Sequence, residues 1–192
     1  MLKKRKKEKP VLTYEEEHNK HFWRYQKSSR VLIWAGAINF VSLIVSIIQA
    51  IVNKDSNLFF YFCFGLDDVI FQALAFIPFF QTDIGSYFYL ASIIVVAMIT
   101  TAGAVLLSVF ASQGKKKWLW ASVIAYAIDA LLIIASYFLG ENVASIWMMF
   151  GLHVIILGFL VIAVREYYKI VEIALKHGVI KQQNEGEENG TK

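Results

Sequence analysis

Apolar residues arrive along this chain in long blocks with short polar stretches between them. Five blocks can be marked: Val31 to Val52, Leu58 to Phe80, Tyr87 to Phe110, Trp118 to Leu139 and Val143 to Val164. Each exceeds the roughly 20 residues that an α-helix needs to cross a hydrocarbon core about 30 Å thick. With almost no charge inside the blocks, the pattern predicts an all-α integral membrane protein, a helical bundle set between polar ends.

The count of crossings depends on where the basic residues lie. Of the 19 Lys and Arg, 10 fall in residues 1 to 30 and three more are Lys115, Lys116 and Lys117. Five crossings from a cytoplasmic N-terminus would export those three lysines together with Arg165, Lys169 and Lys176, against the tendency of basic loops to stay inside. If the second block does not cross, every basic cluster falls on one side, and the loops around 53–57, 81–86 and 140–142 fall on the other. That block is also interrupted by Gly65, Leu66, Asp67 and Asp68, and each carboxylate in the middle of a lipid-facing helix costs about 2.5 to 3.5 kcal/mol on insertion scales. The preferred architecture is four transmembrane helices plus a re-entrant or interfacial segment over 58–80; the alternative is five transmembrane helices.

The flanks complete the organisation. Residues 1–30 read as a basic cytoplasmic segment containing an interfacial helix, because Thr13 and Glu16 have the spacing of a capping box and Phe22, Trp23 and Tyr25 follow. Lys3 to Lys9 are expected to be drawn to anionic lipid. Residues 31–164 form the bundle. Residues 165–192 read as a cytoplasmic helical extension that stops at Gly178, followed by a disordered tail rich in Glu, Asn and Gly.

Composition narrows the class further. The 192 residues are 57% apolar and only 18% charged, whereas a soluble domain carries about a quarter charged residues. Cys63 is the single cysteine, so no disulfide framework or thiolate metal cluster is expected. The net charge of +4 reflects topology and lipid contact rather than nucleic-acid binding. A secretory signal peptide is not indicated, because the first apolar run begins late, at Val31, and is too long.

Inside the blocks the polar residues keep helical spacing. Asn39, Ser42, Ser46 and Gln49 share one face, and Ser122, Tyr126, Asp129 and Ser136 share another. Such faces suit helix packing. Asp129 and His153 stand out: each lies 12 residues from Glu141 in the intervening turn, so on antiparallel neighbours both reach the same depth, about 18 Å in. They allow either a structural lock or a proton, ion or ligand site, with Tyr126 one turn away from Asp129. Asp67 and Asp68 allow a cation or vestibule site in a re-entrant break at Gly65; alternatively they sit in interfacial water and end a short helix.

Enzyme signatures are missing. The chain has no His-Glu-x-x-His, no Gly-x-Ser-x-Gly elbow and no Gly-rich phosphate loop. No catalytic residue, metal site or cofactor is assigned, and an intramembrane enzyme is the least favoured class.

The runs Trp34-Ala-Gly-Ala-Ile-Asn39, Gly114-Lys-Lys-Lys-Trp118, Tyr126-Ala-Ile-Asp-Ala-Leu131 and Phe150-Gly-Leu-His153 resemble those of an uncharacterised group of small bacterial multi-pass membrane proteins. The resemblance covers roughly residues 30 to 165. It implies that Asp129 and His153 recur together, and it brings no activity. The resulting expectation is a structural or interaction subunit of the bacterial plasma membrane with both termini cytoplasmic. It would associate with itself or with another membrane protein. The competing class is a proton- or cation-coupled transporter-like protein.

Overall fold

The computed structural model describes residues 13–53, 64–138 and 143–179. All regular elements among them are helical. Helix α1 (Tyr14–Ser29) opens with the capping box expected from sequence: Thr13 Oγ1 accepts from the Glu16 amide, and the Glu16 carboxylate accepts from the Thr13 amide at 3.0 Å. It runs almost directly into α2 (Val31–Asn53). Then come α3 (Gly65–Ala75), a single 3-10 turn (Pro78–Gln81), α4 (Asp83–Ser112), α5 (Lys116–Phe138) and α6 (Val143–Lys176).

Four helical stretches are long and apolar enough to cross a membrane, and they lie in α2, α4, α5 and α6. Their outward faces are apolar: Ile99, Leu131 and Val161 are 60 to 65% exposed. A surface of this kind is stable against lipid tails rather than water. The chain is thus a membrane-spanning helical bundle.

Helix α3 does not cross. Its 11 residues rise only about 16 Å, half of a hydrocarbon core. Its N-terminus lies level with Asn39, Thr101 and Asp129, well inside α2, α4 and α5. Its C-terminus leads through the 3-10 turn straight to the start of α4. The segment is re-entrant, which removes the five-span alternative and the surface-lying variant. Residues 58–63 of the sequence block lie outside the described residues.

α4 and α5 are joined by a short turn, α2 packs along α4, and α6 packs along α5. α3 is inserted against both α5 and α4. The interior is layered. Leu43, Ile93, Ala97, Ile133 and Met149 form an apolar layer around α3's far end. Leu32, Ala35, Phe64, Ala104, Tyr126, Ile156 and Leu160 form a second layer, and Tyr25, Ala111, Leu119 and Ala163 a third, at the end that carries the Lys115 to Lys117 turn. We call this the basic end. Between the first two layers lies a polar one.

At 34 residues, α6 is about 50 Å long and outruns the membrane at the basic end. There it packs antiparallel to α1, with Tyr25 facing Tyr167 and Tyr14 facing His177. It stops at Gly178, whose φ of 69° needs a residue without a Cβ. The Val179 amide reaches back to Ala174 and the Gly178 amide to Leu175, the paired bonds of a Schellman ending.

A polar layer at mid-bundle is the candidate functional site

α5 carries Tyr126 and Asp129 one turn apart, and α6 carries His153. The depth match expected from sequence is accompanied by the right helix rotation: His153 Nε2 lies 2.9 Å from Asp129 Oδ2. Both residues are buried, His153 completely. Met149 O is 2.9 Å from His153 Nδ1, and a carbonyl can only accept, so Nδ1 carries a hydrogen. The contact between Nε2 and the carboxylate therefore holds one shared proton, as imidazolium with carboxylate or as imidazole with acid. Tyr126 does not hydrogen-bond to Asp129 as the spacing allowed. Its ring stacks on the imidazole, with centroids 4.7 Å apart and planes within 10°, and Phe64 meets it edge-on.

Asp129 has a second task. Its Oδ1 accepts from the Leu66 amide at 2.9 Å, and its Oδ2 accepts from the Gly65 amide at 3.1 Å. Those amides open α3, whose own N-cap residue, Phe64, offers no side-chain acceptor. A carboxylate from α5 thus supplies the cap that the local sequence lacks, and it sits where the helix dipole favours negative charge. The close approach requires Gly65: a Cβ there would lie 2.4 Å from Asp129 O and 2.8 Å from Ile133 N.

Asp67 and Asp68 are not in interfacial water, nor do they end a helix. They lie in the first turn of α3, each 3% exposed, because α3 enters the bundle N-terminus first. Asp67 Oδ2 accepts from Asn39 Nδ2 at 2.9 Å and from the Thr100 hydroxyl at 2.9 Å. Asn39 also reaches Thr101 at 3.1 Å. Asp68 points elsewhere, toward Gln72 at 3.4 Å. The two carboxylates do not act as a pair, as expected for adjacent positions about 100° apart on a helix. Among the described residues, no three of His, Cys, Asp and Glu converge as metal ligands.

The polar face of α2 divides. Asn39 is fully buried and joins the centre, whereas buried Ser46 turns its hydroxyl back to Ser42 O and only packs. Ser42 is half-buried; the side chains of Gln49 and Ser136 lie outside the described residues. Beside the layer lies a cavity of about 210 Å³, walled by Leu32, Phe64, Ala104 and Leu107 and touched by Thr100, Ser122, Tyr126 and Asp129.

A second polar cluster escaped the sequence reading. His21 Nδ1 meets buried Glu166 Oε2 where α1 packs on α6, and Lys169 stands 3.8 Å from the other oxygen. Burial opposes the charge on Glu166, but the His21 hydrogen bond, with Lys169 and Arg24 nearby, outweighs it and holds the carboxyl below its usual range. Nearby, burial pushes the Tyr25 phenol up to about 12, so it stays a donor, to Ala111 O. The signal was present in sequence: Ala163, Glu166, Ile170 and Ile173 follow steps of three, four and three, which puts Glu166 on the packed face.

Compared with known proteins, the chain matches no family model, no curated protein and no solved structure, so its functional reading rests on the geometry just described.

Proposed function

We propose that this chain is a structural or interaction subunit of the bacterial plasma membrane whose polar centre locks a re-entrant helix in place. One observation carries the reading. The Asp129 carboxylate is fully engaged by architecture, taking both amides at the start of α3 and sharing a proton with His153. A group committed in this way holds three elements, α3, α5 and α6, in one arrangement.

The orientation follows from charge. Arg30, Lys115 to Lys117 and Arg165 lie toward the same end of the bundle, and basic residues there favour the cytoplasmic side. Both termini are then cytoplasmic. Lys27 lies over Trp23, and Lys116 over Tyr168, an arrangement of basic and aromatic groups suited to the lipid headgroup region. A bundle of four crossings encloses no wide pathway, so the working form pairs with a second copy or with another membrane protein.

The test replaces Asp129 by Asn and His153 by Ala, separately and together, and follows folded yield and proton or cation flux in vesicles. The subunit reading expects all three variants to lose folded protein. Stable variants that lose flux per folded molecule would instead establish the transport class.

A further inference from the structure

Asp67 differs from Asp129 in how little satisfies it. Its residue is 3% exposed, and Oδ2 has Asn39 Nδ2 and Thr100 Oγ1 at 2.9 Å each, yet Oδ1 has no hydrogen-bond partner among the described residues. The elements packed around it present Asn39 from α2, Thr100 and Thr101 from α4, and Asp129 from α5. Its charged neighbours are carboxyls, Asp129 and Asp68 on its own helix. His153, on α6, is already committed to Asp129. An ionised Asp67 is therefore a desolvated charge with no cation among its hydrogen-bond partners in the described residues, and Asp68 follows it on the same helix turn.

Thr100 lets Asp67 exist in two states without moving a heavy atom. The single hydroxyl proton of Thr100 reaches Asp67 Oδ2 at 2.9 Å, and it reaches Val96 O and Ala97 O at 3.1 Å each. The two carbonyls only accept. When Thr100 donates to one of them, its lone pairs are able to accept a proton from Asp67. When Asp67 is ionised, Thr100 donates to it instead. Asn39 Nδ2 donates to Oδ2 in both states.

We propose that Asp67 is a proton-binding site that exchanges with the cavity beside α3 through Thr100. Thr100 lines that cavity, as do Ser122 and Tyr126 on the side toward the basic end. On release, the O–H bond of the neutral acid breaks and its proton passes to Thr100 Oγ1. The original Thr100 proton, first turned from the backbone carbonyl toward the cavity that Thr100 lines, passes to a water molecule there, which becomes hydronium. Asp67 is left as a carboxylate accepting the new Thr100 O–H bond. Uptake is the reverse. The site uses none of the Asp129 and His153 contacts, so it stands whether or not those residues form a lock.

Infrared spectroscopy of the full chain in lipid vesicles tests this. A protonated carboxyl has a C=O stretch distinct from carboxylate, and it shifts in heavy water. The expected result is such a band at neutral pH that shrinks as pH rises, is lost in Asp67→Asn and persists in Asp68→Asn. Thr100→Val, which keeps Asp67, is expected to move the band's frequency, and this arm holds even if Asp67→Asn does not fold. A wild-type protein with no such band, a band unmoved by Thr100→Val, or one lost in Asp68→Asn overturns the proposal. Loss of the band on adding sodium at fixed pH would overturn it too, in favour of an alkali-cation site.

Discussion

The imidazole of His153 and the carboxylate of Asp129 meet at 2.9 Å in the middle of the bundle, and the same carboxylate caps a helix that neither residue belongs to. The pair couples α5 to α6 and both to α3. Removing one member leaves the other buried with an unmet polar group, which costs about 2 to 4 kcal/mol. Asp129→Asn and His153→Ala are each expected to lower stability in mixed micelles by that amount. The double variant is expected to be little worse than Asp129→Asn alone. Additive losses would show that the two residues act independently.

Gly65 and Gly103 give a contrast within one experiment. A methyl group at Gly65 runs into α5 backbone, whereas one at Gly103 meets nothing within 4 Å. Gly65→Ala is expected to displace α3 and cost upwards of about 2 kcal/mol, since backbone atoms cannot yield as a flexible side chain does. Gly103→Ala, in the interior of α4, is expected to raise stability by up to about 1 kcal/mol through helix propensity. Thermal unfolding of both variants checks the pair, and equal effects would contradict the close approach of α3 to α5.

The junction of α1 with α6 is expected to respond to acid. Glu166 is held below the usual carboxylate range in the folded protein, so its stabilising contribution is fully present above the unfolded carboxylate value. It is lost as pH falls through the lower, folded value. Hydrogen exchange across residues 14–29 as a function of pH reads this directly: α1 amides lose protection at acid pH in the wild type. In Glu166→Gln, protection is already weakened at neutral pH and varies less with acid. Protection in the wild type that does not change with pH would remove Glu166 from this role.

Topology is open to a labelling experiment. Thr82 and Gln113 are both exposed and lie at opposite ends of α4. In a background with Cys63 replaced, Thr82→Cys is expected to react with an impermeant thiol reagent added outside cells. Gln113→Cys is expected to react only after the membrane is opened. The reverse pattern would invert the orientation.

Much of this arrangement could be read from the chain because membranes impose simple rules. The basic residues at 115–117 and 165 required an even number of crossings, and Gly65 with Asp67 and Asp68 showed which block to withdraw. Counting 12 residues either side of Glu141 matched Asp129 to His153 in depth. Their mutual rotation could not be counted, since it depends on how α5 and α6 pack. The burial of Asp67 and Asp68 was missed because a short helix entering N-terminus first can bury acidic residues that composition places in water. His21 and Glu166 were missed because α1 was read as lying on lipid, whereas α6 offered it a protein surface.

α6 also joins the two polar clusters. His153 and Glu166 are 13 residues apart on one unbroken helix, about 20 Å along a stiff rod. A stiff helix displaced along its axis at Glu166 would carry the imidazole with it. Hydrogen bonds of 2.9 Å tolerate little such travel. The α1 and α6 pair at the basic end is thus tied by one continuous helix to the imidazole whose carboxylate partner caps α3.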